Sequence, residues 1–193
     1  MIPLLLALFH HITFDGRKPT VYENRGAVLA AHVDASASFL FEPFAAIRKV
    51  STLRFSWRIK NGAVKTPNAA AEAEKSGDDL PVRIGLLISG KAPLMPFFAP
   101  SWIKAVSNVA KLPASKLVFV VAGAKHAPGA SWPSPFDDDL LLIAADDRAE
   151  RDGWHVATHA FLDPLAVVGL WIMSDGDATA SRFDVEIKDL ELE

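Results

Sequence analysis

The residues most suited to binding or catalysis lie in the stretch Gly77–Arg83, GDDLPVR, where two adjacent carboxylates precede an arginine. We expect Asp78 and Asp79 to open a strand from which Arg83 points outward. If this strand lies near the strand of Arg58, the two arginines share one face with the carboxylates. Such a group could bind a polar ligand or act as an acid/base pair. An ion-pair network that caps the strand is the structural alternative, and it is favoured because such networks commonly resemble sites.

A second polar group lies near the C-terminus, in the stretch MSDGDAT of residues 173–179. Asp175, Asp177 and Thr179 place hard oxygen ligands at close spacing, which is the type of ligand that calcium prefers. Asp and Gly are also good turn formers, so a hairpin turn is the favoured interpretation. The cluster therefore predicts either a turn or a calcium site on Asp175 and Asp177, with calcium as the one cofactor that the sequence suggests.

The tryptophans are the other side chains that could contact a ligand, because exposed indole rings stack on sugar rings. Trp57 is in phase with the apolar residues of its segment, and Trp154 and Trp171 are also expected in the core. Trp132 lies in a proline-rich loop, APGASWPSPF, and is the best candidate for an exposed, ligand-binding ring.

The composition and charge of the chain exclude several classes of function. The chain has 193 residues, 50% of them hydrophobic, and a formal net charge of -3, with no basic stripe that would indicate nucleic-acid binding. There is no cysteine, which excludes disulfides, thiolate nucleophiles and cysteine-based zinc sites. The apolar run Ile2–Phe9 lacks a basic start and is far too short to span a membrane, so a buried first strand or short helix is expected there. A cropped export signal or a truncated start is the alternative.

Elements that could position these residues follow from hydrophobic periodicity. Thr52–Lys60 alternates apolar and polar residues, which predicts a strand with one buried face. Phe183–Leu192 alternates too, but its phase slips near Lys188 and Asp189, where we predict a β-bulge. The other predicted strands are Thr20–Glu23, Ala27–Val33, Ser36–Glu42, Val82–Ser89, Lys116–Ala122, Leu140–Ala145, Trp154–Ala160 and Val167–Met173.

The connections also carry signals. Asn24-Arg25-Gly26 and Asp34-Ala35 are predicted to be hairpin turns. Asn61–Asp79 contains a helix-favouring Ala/Glu run, and the segment SWIKAVSNVAKL (101–112) has the spacing of a short amphipathic helix. Many short strands with one or two peripheral helices predict an all-β fold, a β-sandwich or jelly roll forming a single domain over residues 1–193.

Four motifs in this order resemble the bacterial family known as domain of unknown function 3047: SWRIK, GDDLPVRIGL, PSPFDDDLLLIA and GLWIMSDGDATAS. The resemblance extends from about Pro19 to near the C-terminus. It implies a galactose-binding-like jelly roll, often in exported proteins, and by fold analogy carbohydrate binding. The family-typical residues it points to are Trp57, Arg58, Asp78, Asp79, Arg83, Asp175, Asp177 and Thr179.

These observations support three hypotheses. The first is a non-catalytic module that binds a carbohydrate or another polar ligand on a sheet face or rim, with Trp132 added to the family-typical residues. The second is a carbohydrate-active hydrolase or lyase that uses Asp78 or Asp79 with Arg83. The third is a structural or assembly protein that pairs through a sheet edge.

Overall fold

The computed structural model describes residues 6–91, 100–137 and 140–193, which form one 11-stranded, mostly antiparallel sheet. Helix α1 covers Ala69–Glu72 and helix α2 covers Ser101–Val109, and short 3₁₀ helices lie at Leu6–Leu8 and Arg151–Gly153. The strands are β1 His10–Thr13, β2 Val21–Arg25, β3 Val28–Asp34, β4 Ser38–Ala63, β5 Val82–Ser89, β6 Ala114–Ala122, β7 Ser131–Pro133, β8 Leu140–Ala144, β9 Asp146–Ala149, β10 His155–Met173 and β11 Arg182–Leu192.

Two long strands, β4 and β10, belong to both halves of this sheet. The second part of β4 pairs with β11 and with the start of β10, in the order β2-β3-β11-β4-β10, with β9 on β10; we call this the first half-sheet. The first part of β4 pairs with β1 and with the end of β10, which continues through β5, β6 and β8 to β7; we call this the second half-sheet. Register shifts in the β4–β10 pairing lie between the two halves.

The inner faces of the half-sheets close on each other. One contiguous core joins Phe55 and Val185 of the first half-sheet to Ile84, Val120 and Leu170 of the second, and all five side chains are buried. Alternation along each strand sends one set of side chains into this core, which makes the molecule a β-sandwich and confirms the predicted fold class.

A second core covers the outer face of the second half-sheet. Helix α2 buries Ile103 and Val106 and brings Trp102 against Trp171 and Phe39. The predicted amphipathic helix is therefore confirmed, and it packs on the outside of the sandwich. The outer face of the first half-sheet, in contrast, carries charged side chains, as described below. Among the described residues, no helix is long and apolar enough to cross a membrane.

Several predicted elements are confirmed residue by residue. Strand β5 matches the predicted Val82–Ser89, and the bulge predicted near Lys188 and Asp189 appears as a register shift between Lys188 and Glu191. Asp189 has a φ of 51°, so the extra residue turns in the left-handed region and lets Leu190 return to the core.

Other predictions were wrong about how the strands are connected. The segments Ser36–Glu42 and Thr52–Lys60 belong to one strand, and so do Trp154–Ala160 and Val167–Met173, because β-bulges bend a strand without ending it. Asp34-Ala35 is not a hairpin turn, since β11 lies between β3 and β4.

Only part of the predicted N-terminal element lies within the described residues. Residues 2–5 of the predicted element Ile2–Phe9 lie outside the described residues. Leu6–Leu8 is a 3₁₀ helix, which matches the predicted short helix, but Leu8 is 46% exposed, so this end of the run is not a buried strand.

Candidate functional site

A buried ion-pair cluster joins the two polar stretches of the sequence. The Arg83 side chain, which is 3% exposed, donates from Nε and Nη2 to the two carboxylate oxygens of Asp175 at 3.0 and 2.7 Å. Its Nη1 donates to Oδ1 of Asp78 at 3.0 Å. Arg83 therefore bridges β5, the turn before it and the end of β10 with its full donor fork.

Asp79 forms the second layer of the cluster and is fully buried. Its carboxylate accepts hydrogen bonds from the backbone N–H groups of Ala178 at 3.0 Å and Thr179 at 2.7 Å, and from the Thr179 hydroxyl. Asp177 lies at the rim, where Arg17 makes an ion pair with it at 3.2 Å. Asp79 thus fixes the backbone of the 174–181 turn by accepting hydrogen bonds from two of its N–H groups.

Burial sets the electrostatics of this cluster. Desolvation raises the pKa of Asp175 and of Asp78, and the Arg83 charge opposes both shifts. Burial alone would disfavour the guanidinium charge, but Asp175 and Asp78 raise the pKa of Arg83 above its ordinary value. Both Asp175 oxygens accept hydrogen bonds from Arg83, which is the arrangement of an ionised carboxylate held by a cation.

The geometry corrects the expected placement of these residues. Arg83 does not point outward, and it does not share a face with Arg58, which lies on the first half-sheet and pairs with Glu186 at 2.7 Å. Asp78 and Asp79 are 5% and 0% exposed, so both are closed off from solvent. This burial favours the ion-pair network that caps the strand, and the hydrolase or lyase role of Asp78, Asp79 and Arg83 stays a prediction.

Calcium binding at Asp175 and Asp177 also stays a prediction. Carboxylate oxygens of Asp79, Asp175 and Asp177 lie within 4.8 Å of one another, close enough to share one ion. An ion bound only by the folded state would raise the melting temperature by mass action. The test compares thermal melting in chelator with melting in millimolar calcium, and superimposable curves would contradict the prediction.

Two of the tryptophan predictions are corrected. Trp132 is 5% exposed and stacks on His126, with ring centres 3.8 Å apart, so it is not an exposed platform. Trp154 is not in the core but half-buried on the outer side of the first half-sheet. Trp57 is buried as expected, and its Nε1 donates to Asp147 at 3.1 Å.

The outer face of the first half-sheet contains an open groove of about 570 Å³ around Trp154, which we call the Trp154 groove. Three cations, three carboxylates, one hydroxyl and one indole ring line it: Arg54, Arg151, Lys188, Glu150, Asp152, Asp189, Ser56 and Trp154. The sequence-predicted Arg58 lies beside this groove, whereas Asp78, Asp79, Arg83, Asp175 and Thr179 belong to the buried cluster.

Charged side chains surround the indole ring of Trp154. The Arg58 guanidinium carbon and the Lys188 ammonium nitrogen each lie 4.3 Å from the ring centre. Arg58 is held in place by Glu186 and by the backbone carbonyl of Asp152, to which it donates at 3.1 Å. These cation–π contacts orient the ring at the groove without burying it in the core.

A turn and a bulge in the backbone build the groove. This groove was not predicted from the sequence, although both features have a sequence signal. Asp152 and Gly153 have φ values of 59° and 74°, which turn the chain sharply before β10 and place Trp154 over the sheet. The bulge at Asp189 aims the Lys188 and Asp189 side chains toward the same region. The dipeptide Asp152-Gly153 is a strong turn signal, and combined with the predicted bulge it could have indicated this face.

The fold and the groove define a β-sandwich protein with a mixed-charge groove on one outer face. The chain belongs to the family described as "Protein of unknown function (DUF3047)", which it matches over residues 8–191. No curated protein matches the chain.

Among solved structures, the chain is similar to the family 11 xylanase from Neocallimastix patriciarum, at 10% sequence identity. The similarity covers 96% of this chain and 91% of the xylanase, with a TM-score of 0.36.

Proposed function

We propose that this protein is a non-catalytic binding module for a neutral carbohydrate, held in the Trp154 groove. The single observation that supports this most is the lining of the groove, where an aromatic ring lies among balanced hydrogen-bond donors and acceptors on the outer face of the first half-sheet. Ligand sites commonly combine an apolar or aromatic surface with a few convergent polar groups in this way.

The charge balance of the lining favours a neutral, polyhydroxylated ligand. Arg54, Arg151 and Lys188 can only donate hydrogen bonds, whereas the carboxylates of the groove can only accept when ionised. Each sugar hydroxyl both donates and accepts, so a sugar can use both sets at once. Three cations against three carboxylates give no net charge that would select an anionic or a cationic ligand.

The indole ring supplies the apolar part of the contact. Trp154 already attracts two cations to its ring, so its electron-rich face is directed at positively polarised groups. The C–H groups on one face of a pyranose ring are such a partner and add apolar contact area. A sugar that stacks there replaces Lys188, whose ion pair with Asp189 is long at 3.6 Å.

Trp154→Ala is expected to weaken binding of the neutral saccharide by about tenfold or more, equivalent to at least ~1.4 kcal/mol, because the aromatic anchor of the groove is lost. Binding is measured by calorimetry, after a glycan array of neutral, acidic and amino saccharides has identified a ligand. Arg148→Ala is the matched control, since Arg148 is an exposed cation that pairs with Asp146 and does not line the groove.

An equal affinity in Trp154→Ala and the unmodified protein would contradict the placement of the ligand, and preferential binding of charged glycans would contradict its class. The absence of a signal across the array would contradict carbohydrate binding altogether. The assembly role suggested by the sequence stays a prediction, and measuring the oligomeric state of the protein in solution tests it.

A further inference from the structure

A row of polar side chains continues the Trp154 groove along the outer face of the first half-sheet. Strands β4 and β11 are antiparallel neighbours there, and cross-strand polar contacts follow one another along their ladder. These contacts, which we call the β4–β11 row, join Arg54 to Glu191 at 3.4 Å, Ser56 to Asp189 at 3.5 Å, Arg58 to Glu186 at 2.7 Å and Asn61 to Asp184 at 2.9 Å. The groove includes Arg54, Ser56 and Asp189, so it covers the first half of the row, and the second half extends beyond it.

Strand alternation and one bulge bring these residues to the same face. Phe55 and Trp57 are buried, so the side chains of Arg54, Ser56 and Arg58 point outward. Between Asp184 and Val185 of β11 the register shifts by one residue of β4, and Asn61 therefore lies opposite Asp184. At ~3.3 Å per residue, the row from position 54 to position 61 is about 20 Å long, which exceeds the length of a single sugar ring.

Arg58 connects the two halves of the row. Its guanidinium carbon lies 4.3 Å from the ring centre of Trp154, and its Nη1 donates to the backbone carbonyl of Asp152, so one side of the group belongs to the wall of the groove. Its Nε donates to Glu186 on the other side. A ligand that extends from the groove past Trp154 therefore reaches Glu186 and then Asn61 on the same sheet face.

We propose that the ligand of the Trp154 groove is an oligosaccharide or polysaccharide chain that lies lengthwise along the β4–β11 row, with Asn61 and Asp184 forming a distal subsite. This inference rests on the proposed function. It adds the length of the ligand, its direction along β4, and two ligand-binding residues outside the groove.

The chemistry of the distal subsite suits hydroxyl groups. The Asn61 amide can both donate and accept hydrogen bonds, whereas an ionised Asp184 carboxylate only accepts them. Hydrogen bonds from Asn61 and His32 lower the pKa of Asp184, which keeps this carboxylate ionised at neutral pH. Asn61 is exposed and the Asp184 side chain is 36% exposed, so a ligand can reach both. A hydrogen bond between such accessible groups has a modest net free energy, and sugar hydroxyls can replace it.

The charges along the row favour a neutral chain. Every contact of the row contains a carboxylate, whereas cations take part in two of them, through Arg54 and Arg58. A polyanionic chain would meet these carboxylates along its whole length and would be repelled. The hydroxyls of a neutral chain can donate to the same carboxylates and accept from the arginines.

Calorimetry with saccharides of one to six units, made of the neutral sugar that the glycan array identifies, tests the lengthwise placement. We expect the affinity to rise with chain length and to level off when the row is filled. Asn61→Ala is expected to weaken hexasaccharide binding by about three- to tenfold, the effect of one lost hydrogen bond, and to leave disaccharide binding unchanged. Asn108→Ala is the matched control, since Asn108 is an exposed asparagine on helix α2, which packs on the second half-sheet.

The outcomes separate this inference from the proposed function. A hexasaccharide that binds no more tightly than the disaccharide would overturn the lengthwise placement, and the proposed function would still stand if Trp154→Ala weakened the binding of both. Equal weakening of both saccharides by Asn61→Ala would overturn the distal subsite. The absence of binding at every length would overturn the inference and the proposed function together.

A second measurement needs no variant. The ¹H and ¹⁵N shifts of the Asn61 side-chain amide are expected to change when the hexasaccharide is added and to stay constant when the disaccharide is added. Constant shifts with both saccharides, while both bind, would contradict the distal subsite.

Discussion

Arg83→Met is expected to lower the free energy of unfolding at neutral pH by about 3–5 kcal/mol, because Asp175 and Asp78 would keep their buried carboxylates without their counter-charge. For a chain of this size, that loss corresponds to a fall in melting temperature of about 6–20 °C. The effect comes from the two carboxylates left behind rather than from packing, since methionine occupies much of the space of the arginine stem.

The pH dependence separates this mechanism from a simple loss of contacts. Burial raises the pKa of Asp175 and Asp78, and removing Arg83 removes the opposing charge. Folding of the variant therefore takes up protons, and its stability is highest in acid and falls as the pH rises through the raised pKa values. Chemical denaturation at several pH values measures this slope.

Arg83→Lys is the matched control for charge. It retains the positive charge but not the fork that contacts both oxygens of Asp175, so an intermediate loss of stability is expected. If Arg83→Met were as stable as the unmodified protein at all pH values, the cluster would not hold the turn as described.

Trp171→Ala is expected to lower the free energy of unfolding by about 3–5 kcal/mol, the range found when a buried large aromatic side chain is truncated. Trp171 is 3% exposed and stacks on Phe39, with edge contacts to Trp102 and Phe119. It therefore joins the β10 strand to helix α2 and to β6, and a cavity there would loosen all three elements. Thermal or urea denaturation provides the measurement.

Trp171→Phe provides the control for this second prediction. It retains an aromatic ring against Phe39 and removes an indole N–H that is buried without a hydrogen-bond partner among the described residues. We expect a much smaller loss than for alanine, because losing an unsatisfied donor offsets part of the lost contact area. Equal losses for both variants would show that the stacked arrangement does not carry the stabilisation.

Side-chain periodicity was sufficient to predict the longer strands and their buried faces, but not the short strands β1, β7 and β9. Phe183, Val185 and Ile187 alternate inward, and the phase slip at Lys188 located the bulge from the sequence alone. These features are local, since a two-residue period depends only on neighbouring positions. Helix α2 could be predicted for the same reason, because its amphipathic spacing is also a local pattern.

Contacts between segments that are distant in the chain could not be predicted from the sequence. Both halves of the ion-pair cluster were recognised, but their contact joins Arg83 to Asp175, which are 92 positions apart. Nothing in a local pattern indicates that two polar stretches neutralise each other inside the fold. The predictions for two tryptophans were wrong for a related reason. Burial of Trp132 depends on its contact with His126, and the half-buried position of Trp154 depends on the turn at Asp152.

The position of β11 between β3 and β4 has a consequence for biosynthesis. Residues 182–192 emerge from the ribosome after every other strand, yet they supply the central partner for two of the earliest ones. Until then β3 and the second part of β4 present unpaired backbone groups and apolar side chains along the edges that β11 later covers. Completion of the first half-sheet thus waits for residues 182–192, and the earlier strands are most exposed to aggregation until those residues have been made.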